Sequence, residues 1–103
     1  MNETPQTTSV NEQEATLVAE LFSALSDPSR VQILSALMQG EMNVGGLAEI
    51  VGISHSAVSH HMRHLRQMRL VRTRKDGRHV YYCLDDEHGR DLLDRGLEHV
   101  RHR

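Results

Sequence analysis

Residues 47–62 read Leu47-Ala48-Glu49-Ile50-Val51-Gly52-Ile53-Ser54-His55-Ser56-Ala57-Val58-Ser59-His60-His61-Met62, two short apolar segments hinged on one glycine. Leu47, Ala48, Ile50 and Val51 predict a short helix that Gly52 breaks. Ser54 is placed to cap a second helix over 54–67, in which Val58, Met62 and Leu65 recur at i, i+4 and i+7 and face inward. Two short helices can cross only over a small, flexible turn, and Ala48 permits their close approach. The pattern predicts a helix-turn-helix. On the outer side of its second helix stand Ser54, His55, Ser56, Ser59, His60 and Arg63. Short hydroxyls and imidazoles near a helix N-terminus can reach base edges and phosphates in a major groove, where the helix start adds partial positive charge. Ser54 and Ser56 also have a purely local reading, as caps.

Downstream, Leu70–Arg74 and Val80–Leu84 read as two short strands around Lys75-Asp76-Gly77-Arg78, because Asp-Gly tolerates positive φ at both central positions of a hairpin turn. Val80, Tyr82 and Leu84 alternate with His79, Tyr81 and Cys83, as in a half-buried strand. Arg74, Lys75 and Arg78 at the hairpin tip are expected to touch flanking DNA backbone, as a wing does. Upstream, Leu17, Val18, Leu21, Phe22 and Leu25 predict a helix over 12–25. At Ser26-Asp27-Pro28 the chain stops and restarts, with Asp27 as N-cap and Pro28 at the first helical position. A second helix then carries Val31, Leu34, Leu37 and Met38 to an end at Gly40. Beyond the wing, Asp85 or Asp86 caps a last helix toward Arg101, with Leu92, Leu93, Leu97 and Val100 as its apolar seam. The expected fold is mainly α with a small β-hairpin (α+β): a winged helix-turn-helix of five helices and a two-stranded wing. Residues 1–11 read as a flexible N-terminal arm, and 12–103 as one DNA-binding and dimerisation domain.

The charge is segregated. The formal net charge is −2, but residues 54–82 hold seven bases (Arg63, Arg66, Arg69, Arg72, Arg74, Lys75, Arg78) against Asp76 alone. Residues 1–53 hold seven acids against Arg30 alone. A basic middle between acidic ends suits a chain that offers one face to phosphate. With 103 residues, one domain is expected. No apolar run is long enough to span a membrane and no signal-peptide pattern is present, so a cytoplasmic location is expected. Cys83 stands alone and excludes an internal disulfide. It reads as a packed strand residue, since no second thiol resolves an oxidised form. The absence of a convincing nucleophile–base pair argues against an enzyme.

The last helix carries Asp86, His88, His99 and His102. Eleven residues are close to three helical turns, so His88 and His99 point the same way but stand about 16 Å apart along the axis. Metal–nitrogen bonds are about 2 Å long, so one helix cannot bring both rings to one ion. Two antiparallel copies can: His88 with a carboxylate from one chain meets His99 and His102 of the other, giving two sites per twofold dimer. The carboxylate is Asp86, provided it sits in a non-helical capping turn, or Asp91, three residues after His88. Four N/O donors in a closed site favour tetrahedral Zn(II), with Co(II) a mimic and Ni(II) less suited. His60 and His64 also have i, i+4 metal spacing, but with arginines interleaved and no acid nearby DNA reading is preferred. His61 and His79 read as surface residues.

With these elements in this order, the chain resembles the ArsR/SmtB family of dimeric, winged-helix, metal-sensing repressors over residues 15–103. The likeness rests on Leu25-Ser26-Asp27-Pro28-Ser29-Arg30, on Ser54-His55-Ser56-Ala57-Val58-Ser59-His60-His61, on the Asp-Gly wing and on the ending. Zinc-responsive members carry a carboxylate and histidine at the start of the last helix and two more ligands near its end. The resemblance therefore favours Asp86 over Asp91. It implies a homodimer that binds operator DNA when metal-free and is released by Zn(II), derepressing efflux or detoxification genes. Members that sense arsenic, cadmium or lead place cysteines at the start of the first helix of the helix-turn-helix. Here Glu41-Met42-Asn43-Val44-Gly45-Gly46 offers no thiol. The rival expectations are a DNA-binding regulator blind to metal and a nickel or cobalt sensor of the same family.

Overall fold

The computed structural model describes residues 9–102. Residues 1–8 of the expected arm, and Arg103, lie outside the described residues. The elements in chain order are α1 (Glu12–Ala24), α2 (Pro28–Leu37), α3 (Val44–Val51), α4 (His55–Gln67), β1 (Val71–Asp76), β2 (His79–Leu84) and α5 (Glu87–Arg101).

Each helix start is fixed by a side chain that accepts from otherwise unpaired N–H groups. Asn11 opens α1 in a capping box, its Oδ1 accepting from Glu14 N–H at 2.7 Å while Glu14 accepts from Asn11 N–H. Asp27 caps α2 by accepting from Ser29 and Arg30 N–H, with Pro28 at the first position. Asn43 caps α3, Ser54 caps α4 and Asp86 caps α5. The helix ends differ from expectation in one place. α2 stops at Leu37 rather than Gly40, because Gln39 and Gly40 N–H turn back to Ala36 and Leu37 carbonyls in a tighter final turn.

The core sits where α2, α3 and α4 meet. Ile33, Leu47, Val58, Met62 and Leu65 are wholly buried, with Leu34, Leu37, Ala48, Leu70 and Val71 around them. Gly52, at φ +78°, makes the left-handed turn between α3 and α4. Its N–H and that of Ile53 both return to the Ala48 carbonyl. α4 ends at a second left-handed residue, Arg69 at φ +57°, where a glycine is usual. Leu70 N–H closes that end on the Leu65 carbonyl at 3.0 Å.

The hairpin pairs antiparallel, Val71 opposite Leu84 through Asp76 opposite His79. The turn is therefore Gly77-Arg78, one residue later than expected, and both strands reach further toward it. Only Gly77 has positive φ (+63°), the backbone signature of a turn with glycine at the first central position rather than at the second. The expected alternation along β2 is also blurred. Tyr81 through Leu84 are all half-buried and Val80 is exposed, and Met42 forms a bridge with Tyr82 on the other edge.

Two helices pack on the core along only part of their length. On α1 only Ala24 is buried, while Leu17, Val18 and Phe22 are 56%, 44% and 54% exposed. α5 buries no residue completely. No helix among the described residues is long and apolar enough to cross a membrane.

Candidate functional site

The outer face of α4 carries the six residues expected to read DNA. Ser54, His55, Ser56, Ser59, His60 and Arg63 are all exposed. Ser54 caps the helix, its Oγ accepting from Ala57 N–H at 3.0 Å and lying 3.2 Å from that of Ser56. His61 is not the surface residue expected of it. Half-buried, it accepts at Nδ1 from Arg30 Nε–H at 3.0 Å, while Arg30 also donates to the Ala24 carbonyl at 3.3 Å. Arg30 thus ties α4 to the α1–α2 corner. Burial lowers the His61 pKa, with Arg30 and His60 pushing the same way and Asp27 opposing them. The ring is therefore held neutral, as its acceptor role requires.

In the wing, Lys75 near the end of β1 and Arg78 in the turn are exposed and without an ion pair among the described residues. Arg74, expected beside them, is instead drawn back. Its guanidinium makes two bonds to Glu41, Nε–H donating to Oε2 at 3.0 Å, and packs 4.9 Å from the Tyr81 ring centre. That side-chain bond holds the Glu41 carboxyl below its ordinary range and raises the Arg74 pKa. The pair anchors the wing to the chain ahead of α3 and leaves Arg74 already engaged by a carboxylate.

At the other end of the fold, the start of α5 brings two donors together. Asp86 has extended backbone (φ −157°, ψ −172°), so it lies in the non-helical turn that its participation demands. Its Oδ1 accepts from His88 N–H at 2.9 Å and its Oδ2 stands 3.1 Å from His88 Nδ1. The bond from His88 N–H is the main influence that lowers the Asp86 pKa, so the carboxylate is charged at neutral pH. The His88 ring is 92% exposed. Asp91 is exposed too, but no hydrogen bond or ion pair joins it to His88 among the described residues. His99 and His102 are exposed near the end of α5, with His102 as its C-cap. Within one protomer no three His, Cys, Asp or Glu converge among the described residues. The donor set suits a tetrahedral ion all the same. Asp86 and His88, joined by a hydrogen bond, supply one carboxylate oxygen and one imidazole nitrogen of the kinds zinc takes.

Between α1, α2 and α5 runs an apolar groove of about 500 Å³, lined by Phe22, Leu25, Leu34, Leu92, Leu93 and Leu97. The base of α5 is bound to the chain just after α4. Asp85 N–H donates to the Leu70 carbonyl at 3.0 Å, and Gly89 approaches Leu70 so closely that a Cβ there lies 3.6 Å from Leu70 Cδ2. The sequence held no signal for Arg30–His61, Arg74–Glu41 or the Leu70 junction, since each joins segments whose relative register is set only by packing.

The family described as "Bacterial regulatory protein, arsR family" matches residues 27–73. The chain is 47% identical over 88 residues to the transcriptional repressor SmtB homolog of Synechocystis sp., covering 85% of this chain and 67% of that protein. To the cadmium resistance transcriptional regulatory protein CadC homolog of Staphylococcus aureus it is 42% identical over 85 residues, covering 82% and 70%. A homodimeric winged helix-turn-helix DNA-binding domain from Mycobacterium bovis superposes with a TM-score of 0.79 at 27% identity, covering 90% of this chain and 89% of that one.

Proposed function

The chain belongs to the ArsR family of bacterial regulatory proteins, and on that footing we propose that it is a cytoplasmic, metal-responsive transcriptional repressor, released from operator DNA by Zn(II), or by Co(II) in its place. It is a transcriptional regulator with a winged helix-turn-helix, not an enzyme. The apolar faces of α1 and α5 pack against those of a second copy, covering Phe22, Leu97 and Val100. The dimer presents two α4 helices about one DNA turn, roughly 34 Å, apart to a palindromic operator. Ser54, His55, Ser56, Ser59, His60 and Arg63 read the groove, and Lys75 and Arg78 hold flanking phosphates. Arg74 supports the wing and contributes the charge that Glu41 leaves over.

The metal is held by Asp86 and His88 of one protomer with His99 and His102 of the other. The observation that supports this reading is the capping turn that brings Asp86 Oδ2 to 3.1 Å from His88 Nδ1, a hydrogen-bond contact that puts both groups within reach of one ion. Bound there, the ion supplies a tie between the two α5 helices. Each half-site then bears on its own reading helix through backbone. Asp85, next to Asp86, is bonded to Leu70, and Leu70 to Leu65 of α4. Re-orienting α5 in the dimer therefore re-aims α4. The cadmium named for the CadC homolog supports metal response in general; the all-N/O donors here favour zinc.

The test is operator binding, followed by fluorescence anisotropy on a palindrome selected from a random pool by the metal-free protein. Zn(II) and Co(II) lower the affinity, and operator lowers Zn(II) affinity by the same factor, because the coupling is reciprocal. Operator binding that ignores every divalent ion leaves a DNA-binding regulator blind to metal. Release by Ni(II) alone reassigns the effector.

A further inference from the structure

On α4, exposed His60 and half-buried His64 hold their ring centres 4.9 Å apart with planes inclined by 72°. Two imidazoles bound to one ion through bonds of about 2 Å have ring centres roughly 4.5–5 Å apart. Residues at i and i+4 are also neighbours on one helix face. We propose that His60 and His64 form a second divalent-cation site, a two-imidazole chelate on the reading helix itself, with water completing the coordination.

The surroundings define what such a site takes. His61, with its ring centre 5.9 Å from that of His60, is no third ligand, because its Nδ1 is occupied by Arg30. No carboxylate or thiol joins the pair among the described residues. The donors are therefore nitrogen only, which favours imidazole-seeking ions over magnesium or calcium, with Cu(II) bound tightest and Ni(II) and Zn(II) behind it. Arg30 and Arg63 lie near enough to His64 for their charges to act on it. The same arginines repel a dication and make this site weaker than a closed four-donor one. Its position has a direct consequence. His60 lies on the face that Ser56, Ser59 and Arg63 offer to DNA, so an ion here stands between helix and groove. It blocks DNA within a single protomer, without the α5 ligands and without any change in the dimer.

The experiment uses the full chain carrying His88→Ala, His99→Ala and His102→Ala, which removes the α5 imidazoles and makes the result independent of the zinc reading. Cu(II) is titrated by calorimetry, and the bound ion is examined by electron paramagnetic resonance for imidazole nitrogen coupling. The expected result is one imidazole-bound Cu(II) per protomer. Adding either His64→Gln or His60→Gln weakens it roughly tenfold or more, as loss of one of two ligands requires. His60 is exposed, so His60→Gln keeps the fold even if His64→Gln does not, and circular dichroism checks both. Uptake unchanged by both substitutions, or absent from the triple variant, overturns the site. Saturating double-stranded DNA is expected to weaken Cu(II) roughly tenfold by competition; unchanged affinity overturns its placement on the reading face.

Discussion

Asp86 performs two tasks with two oxygens, and substitution separates them. Oδ1 caps α5 by accepting from His88 N–H at 2.9 Å; Oδ2, 3.1 Å from His88 Nδ1, is the proposed metal donor. Asn caps a helix about as well as Asp does, but its amide is a poor metal ligand. Asp86→Asn should therefore leave the metal-free thermal midpoint within about 2 °C of the parent, because the cap survives. Asp86→Ala removes the acceptor as well. For a chain of this size a lost cap of ordinary strength lowers the midpoint by about 4–8 °C. Metal affinity behaves differently. Both variants lose one of four donors, the only anionic one, and should bind Co(II) at least roughly 10–100-fold more weakly, since even partners outside the ligand set cost that much. The midpoints are read by circular dichroism at one protomer concentration, because dimerisation contributes to stability. Affinities are read from the visible absorption of tetrahedral Co(II). If Asp86→Asn binds Co(II) as the parent does, Asp86 is only a cap and the carboxylate is Asp91. If Asp86→Asn and Asp86→Ala melt together well below the parent, the cap argument fails.

Three further outcomes follow from the geometry. Leu97→Glu places a charge in the apolar groove between α1, α2 and α5. It should weaken the dimer by roughly tenfold or more in sedimentation velocity, and an unchanged dimer at micromolar concentration moves the interface elsewhere. Lys75→Ala with Arg78→Ala should lower the slope of log affinity against log salt by about 2, roughly 1 per phosphate contact, while Arg74→Ala moves it less because Glu41 already holds that guanidinium. Equal slopes for all three positions contradict the assignment. The third concerns pH. The His61 pKa is lowered in the fold from 6.5, so below that value the unfolded chain binds more protons and stability falls as pH drops through the folded pKa. The midpoint should decline from pH 7 toward pH 5, and His61→Gln, which offers Arg30 a neutral acceptor, should flatten the decline. An identical pH profile for the variant removes His61 from the account.

Local features of the fold were legible because local chemistry fixes them. Asp27-Pro28, Gly52-Ile53-Ser54 and Asp85-Asp86 each declare a helix boundary within a few residues, and the cap side chains in the structure are Asp27, Ser54 and Asp86. The burial of Val58, Met62 and Leu65 follows from one helical period. The turn slipped by one residue because Asp76-Gly77-Arg78 satisfies two hairpin types, and only the pairing of Asp76 with His79 selects between them. The stripe on α1 was read as helical, but periodicity cannot say whether such a face meets its own core or another copy. Arg30–His61 and Arg74–Glu41 span 31 and 33 positions of chain, and no spacing rule reaches that far. For the candidate metal site, residue type and the eleven-residue interval were visible in the sequence. The extended backbone that turns Asp86 toward His88 was only a condition there, and the cap geometry meets it.

The sharing of one ion between two protomers is tested most directly by mixing two crippled chains. His88→Ala and His99→Ala should each bind Co(II) without the intense tetrahedral absorption. After subunit exchange in an equimolar mixture, half of the dimers pair one variant with the other. Each of these rebuilds one site, from the intact Asp86 and His88 of one chain and the intact His99 and His102 of the other. The mixture should recover about one quarter of the parent absorption per protomer. A mixture that stays as pale as either variant alone contradicts the shared site.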